Sequence, residues 1–155
     1  MSMIRKLMVA LSLLGLLAAS VSVTAQQPEE NPYISYRRNV MKSLASNMGG
    51  IGDILKNQLP YQTNLVDHAK NVERSAAMIA KAFEQKVNDE KPGGSKDDIW
   101  KEMGKFKEGA DTLTKEAGAL AAIIGGGDGK AIMGQLQKIG KACKSCHDEF
   151  RKPKN

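Results

Sequence analysis

The sequence predicts an all-α protein, an antiparallel four-helix bundle with up-down-up-down topology. Three observations carry this. Apolar residues recur at steps of three and four in four successive segments. Each segment is bounded by Pro, Gly or capping residues. No segment alternates apolar and polar with period two, the signature of a strand. Mostly short connections between such helices favour antiparallel neighbours, and steps of three and four suit the shallow crossing angle of bundles.

The first helix is expected from about Pro32 to Lys56. Asn31 is a capping residue and Pro32 suits the first helical position. Ile34, Arg37, Met41, Leu44, Met48, Ile51 and Leu55 form its inward stripe. The second is expected from about Asn64 to Gln85, with Leu65, Ala69, Val72, Ala76, Ile79 and Phe83 inward. Lys91-Pro92-Gly93-Gly94 reads as a flexible connection. The third is expected from Lys96 to Ile124, capped by Ser95, with Asp97 and Asp98 at the positive end of the helix dipole. Gly125-Gly126-Gly127 stops it. The fourth is expected from Gly129 to Lys152, with Ile132, Leu136, Ile139, Cys143, Cys146 and Phe150 inward, and Pro153 just beyond.

Two parts precede and contain the bundle. Residues 1–25 read as a secretory signal peptide. Arg5 and Lys6 form its positive start, Leu7 to Leu17 its apolar core, and Val23-Thr24-Ala25 its cleavage site. A lipid anchor would need a cysteine where Ser20 stands. Removing this segment leaves residues 26–155 as one domain. It also lowers the net charge from +6 to +4, because Arg5 and Lys6 leave with it. A moderate positive charge suits acidic protein partners. No basic run interleaved with aromatics points to nucleic acid, and no membrane role is expected after cleavage. Aromatics are only 5% of the chain, so a bound macrocycle is a candidate for the missing core volume.

The chemistry lies in Cys143-Lys144-Ser145-Cys146-His147, the Cys-x-x-Cys-His attachment pattern of c-type haem. Cysteines three apart on a helix point the same way. They can form thioethers to both vinyl groups of one haem, and the histidine that follows can ligate the iron. Three other readings compete. A thioredoxin-like pair wants a βαβ setting and a helix N-terminus. A zinc site needs four ligands, and the chain has two cysteines and two histidines. A plain disulfide leaves His147 unexplained. His68, near the start of the second helix and so at the end of the bundle far from the motif, reads as an ordinary boundary histidine. Met41 and Met103 occupy inward positions where methionine is commonly core filler. Arg37, inward and one turn before Met41, needs an anion or an escape to water. A haem propionate would serve, and so would snorkelling from the bundle end.

The residues resemble the class II c-type cytochromes, the cytochrome c-prime family, over most of residues 26–155. The resemblance rests on Cys143-Lys144-Ser145-Cys146-His147 with Phe150-Arg151 after it, and on Tyr36-Arg37-Arg38-Asn39-Val40-Met41. Pro60-Tyr61 and Ile99-Trp100 look similar too. The resemblance implies one covalent haem c on Cys143 and Cys146, with His147 as proximal ligand. In high-spin members the position matching Met41 is a non-ligating apolar residue and the iron binds small gases. In low-spin members a methionine there is the sixth ligand. Met41 therefore implies the low-spin His/Met branch, with Arg37 at a propionate.

The expected function is one-electron transfer by a periplasmic carrier. Its redox partners would be acidic and would dock on Arg38, Lys42, Lys141, Lys144 and Lys152. The alternatives are a five-coordinate haem protein binding NO or CO, and a haem-free exported thiol-disulfide or interaction protein. No enzyme is expected, since no nucleophile–base pair or paired carboxylates can be picked out. The resemblance implies a homodimer through the first two helices, which the apolar stripe does not decide.

Overall fold

The computed structural model describes residues 30–154. The expected signal peptide lies outside the described residues. Four long helices make the bundle: α1 (Pro32–Asn57), α2 (Gln62–Ala77), α5 (Met103–Ile123) and α6 (Gly129–Phe150). Two single turns, α3 (Ile79–Ala82) and α4 (Asp98–Lys101), extend α2 and precede α5. The one β-type feature among the described residues is an isolated antiparallel bridge between Ser95 and Arg151.

The helix starts follow local chemistry. Asn31 accepts the N–H of Tyr33 with its side chain, at 3.0 Å, ahead of Pro32. Asp128 accepts those of Lys130 and Ala131, at 3.0 and 3.1 Å. Each bond satisfies a donor that the first helical turn leaves orphaned. Two expectations are corrected. The second helix breaks at Met78, and its continuation ends at Ala82 rather than Gln85. The third helix opens only at Asp98 and is interrupted at Glu102, whose φ of −121° and ψ of 41° are not helical. Ser95 does not cap it: the Ser95 hydroxyl is buried and has no hydrogen-bond partner.

The core is built by the expected apolar positions. Ile51, Leu65, Ala69, Val72, Ala117, Leu120 and Ile139 are sealed from solvent. Helix α1 packs on α2, α2 on α5, and α5 on α6. Helices α1 and α6, the remaining neighbours in the ring, scarcely meet. That open seam lies where both cysteines and Met41 are found.

The segment 83–97 is a strap rather than a loose connection. Backbone N–H groups of Gly93, Lys96 and Lys152 donate to the carbonyls of Pro153, Phe150 and Gly94, at 2.8, 2.9 and 2.8 Å. Gly94 leaves no room for a side chain: a Cβ there would stand 2.8 Å from the carbonyl oxygens of both Asp89 and Lys91.

Leu120→Ala is expected to cost about 2–5 kcal/mol of unfolding free energy, measured by urea denaturation. Exposed Lys115→Ala on the same helix should stay within about 0.5 kcal/mol.

Candidate functional site

A cavity of about 530 Å³ fills the seam between α1 and α6. Cys143, Cys146 and His147 border it from α6, and Met41 and Met48 from α1. Phe83, Ile99 and Phe106 contribute apolar wall, and Arg38, Asp89 and Arg151 are polar groups at its border. The expected thioether cysteines, the expected proximal histidine and the expected sixth ligand thus share one cavity. Met103 packs against the core without bordering this cavity. Met78 faces outward, its sulfur 3.8 Å from the Tyr36 hydroxyl. His68 bonds Asn47 at 2.9 Å, away from the cavity.

The thiols are not joined to each other. Both have raised pKa values, chiefly because burial disfavours the thiolate. Cys146 is pushed up to about 11, with Cys143 and Glu149 adding to the effect. A thioredoxin-like pair needs the opposite, a stabilised thiolate. Among the described residues no three His, Cys, Asp or Glu side chains gather as a metal cluster, which leaves the zinc reading without ligands. Burial lowers the pKa of His147, and Arg151 and Lys154 lower it further against Asp148. The imidazole is therefore neutral at pH 7, the state in which a ring nitrogen can bind a metal.

Arg37 occupies the inward position expected, borders the same cavity, and is held there by backbone carbonyls. Its Nε donates to the Ala82 carbonyl at 3.1 Å and Nη1 to that of Val87 at 3.0 Å; Nη2 donates to that of Gln85. Its guanidinium carbon lies 4.8 Å from the Phe83 ring centre and 5.1 Å from that of Trp100. Burial lowers its pKa and nearby Asp89 partly offsets this. Arg37 is a clamp on the strap, made affordable by carbonyl and aromatic partners.

The basic patch expected at this end is also thinner than the sequence suggested. Arg38 pairs with Asp89 and Glu30, Lys144 with Asp148, and Lys152 with Glu90. Among the described residues only Lys42 and Lys141 of that patch have no ion-pair partner. Sequence reasoning missed Asp89, which sits in a polar run yet is buried, and placed the phenylalanines inward without showing that they meet. Phe83 and Phe106 ring centres are 4.9 Å apart, and Phe106 and Phe150 5.4 Å, edge to face.

The residues fit a haem. The volume lies in the range of cofactor pockets, about 300–1,000 Å³. The walls are mostly apolar, two unpaired thiols three residues apart face the cavity, and cationic groups stand at its border for carboxylates. Fold and site together define a helical-bundle c-type haem protein. The family model for Cytochrome C' matches residues 32–151, and the chain belongs to that family. Its cofactor is a covalently attached haem c with its iron.

The chain is 31% identical to cytochrome c' of Rhodospirillum rubrum over 137 residues, covering 88% of this chain and 93% of that one. It is 35% identical to cytochrome c-556 of Rhodopseudomonas palustris over 147 residues, covering 88% and 91%. The solved cytochrome c prime from Shewanella frigidimarina is 27% identical, with a TM-score of 0.67, covering 81% and 99%. These matches establish the family as a whole. They do not single out the low-spin His/Met branch that Met41 implied.

Replacing Arg37 by Met should cost about 2–5 kcal/mol in thermal or urea unfolding, since three carbonyls lose their donor. Arg37→Lys, which cannot reach all three, should recover only part of it.

Proposed function

We propose that Cys143 and Cys146 carry the haem thioethers, that His147 and Met41 are its axial ligands, and that the protein is an exported one-electron carrier. The observation that supports this most is the single cavity bordered by the motif on α6 and by Met41 on α1. When bound, the haem supplies an iron that changes oxidation state by one electron. The chain does the rest. His147 offers a neutral nitrogen, held in place because the adjacent Cys146 is fixed. Met41 offers a neutral thioether, a ligand that raises the reduction potential relative to harder ones. Apolar walls exclude water, and two neutral ligands fixed on packed helices would hold the iron with little rearrangement as its charge changes.

With His147 and Met41 both holding the iron, no position would be left open for a substrate, and this reading therefore assigns no enzymatic activity. Lys42 and Lys141 are the cations available to an acidic redox partner. Export agrees with the signal pattern over residues 1–25 and with thioether attachment, which bacteria perform outside the cytoplasm. Among the described residues no helix is long and apolar enough to cross a membrane.

A second reading is gas binding, and the names of the solved relatives favour it over the first. Structures of two single-residue variants of cytochrome c prime from Alcaligenes xylosoxidans are a nitric oxide complex and a carbon monoxide complex, each 24% identical to this chain with a TM-score of 0.68. On this reading Met41 stands off the iron or yields to the gas. The reduced holoprotein separates the two. A carrier should show sharp low-spin bands that carbon monoxide leaves unchanged, and Met41→Ala should become high-spin and bind the gas. A wild-type protein that is already high-spin, or that binds carbon monoxide readily, makes gas binding the function. Attachment is read separately by intact mass. The wild type should exceed the polypeptide by one haem, and Cys143→Ser with Cys146→Ser together should abolish that increment under denaturing conditions.

A further inference from the structure

Asp89 is a carboxylate with a side chain only 8% exposed, and it borders the haem cavity. Arg38 Nη2 donates to both of its oxygens at 3.0 Å, and the Lys91 N–H adds a third bond at 3.2 Å. Arg38 borders the same cavity. A buried ion pair is a weak source of net stability, because desolvating two charges consumes most of their attraction. Placed on the wall of a water-poor cofactor site, the same charges act strongly on any centre whose own charge changes.

We propose that Asp89 and Arg38 form an opposed pair whose charges offset each other at the haem iron, so that losing either one alone shifts the reduction potential. The couple is one iron(III) taking one electron, from an external donor, to become iron(II), with no bond made or broken. The anionic carboxylate favours the oxidised state and the guanidinium favours the reduced one. While they are paired their effects largely cancel. Removing Arg38 uncovers Asp89, and removing Asp89 leaves Arg38 with Glu30 as its remaining carboxylate partner. The neighbouring cation Arg37 also borders the cavity, but it is held by the carbonyls of residues 82, 85 and 87, so its charge is a fixed background that these variants leave in place. This inference needs a haem in the cavity but not Met41 on the iron: a five-coordinate centre has a one-electron couple too.

The test is a mediated spectroelectrochemical titration of the holoproteins at fixed pH and ionic strength. Asp89→Asn should raise the midpoint potential, shifting the ferrous-to-ferric ratio at a given potential about tenfold, or about 59 mV for a one-electron couple. Arg38→Gln should shift the ratio in the opposite direction by a similar factor. The double variant should return to within about twofold of the wild-type ratio. If Asp89→Asn does not accumulate as holoprotein, Arg38→Gln against Arg38→Lys carries the test, the first lowering the potential and the second holding it. Single variants that move the potential in the same direction, or not at all, with an unchanged visible spectrum overturn the proposal. So does a double variant no closer to wild type than either single. Should Met41 prove not to bind iron, all absolute potentials would differ but this order would stand.

Discussion

The constraint on which this structure turns is that α1 and α6 are joined into the bundle without packing on each other. Protein interiors are close-packed, and a void lined by apolar side chains costs stability in proportion to its size. Here the two helices diverge around a cavity of about 530 Å³. Water fills such a space poorly because its walls offer few partners. A large, flat, mostly apolar group with a polar edge fills it well. The low aromatic content has the same explanation, since the bundle is built to receive part of its core from outside the chain. Covalent attachment of the haem makes that part permanent, so the cofactor and the fold stabilise each other.

Closing the cavity requires more than four helices. The chain between the first and second helix pairs is drawn across one end as a strap. Arg37 holds it from α1 through three carbonyls, and the residues just after the Cys-x-x-Cys-His motif hold it from the other side by backbone hydrogen bonds. One wall of the site is thus made by residues distant in sequence from both axial-ligand candidates. Gly93, with φ of +73°, and Gly94, crowded by two carbonyls, let the strap turn tightly enough to do this. The strap also brings Asp89, an acidic residue among polar neighbours, into contact with Arg38 at the cavity wall.

Much of this was legible in the sequence, for stated physical reasons. Helical periodicity gave the four long elements, because burying one face of a helix forces that spacing. Asn31, Pro32 and Asp128 marked helix starts because orphaned N–H groups need acceptors there. The Cys143–His147 motif located the site, and antiparallel topology brought Met41 to the same level. Other features were not legible. Arg37 was read correctly as an inward cation, but its three carbonyl partners were not foreseen, because carbonyls that converge in three dimensions leave no trace in one. The break at Glu102 falls within an unbroken apolar stripe. Asp89 carries no periodic signal at all, and the ion pairs that thin the basic patch join residues up to 62 positions apart. Pattern locates elements and motifs, whereas partner choice depends on a tertiary path.

A crystal structure of the holoprotein purified from the exported fraction tests the central claim most directly. The account predicts one porphyrin lying between α1 and α6, continuous density from its edge to both Cys143 and Cys146, and those two helices still held apart. A macrocycle lodged elsewhere, or α1 closed onto α6 with the two sulfurs bonded to each other, would contradict it.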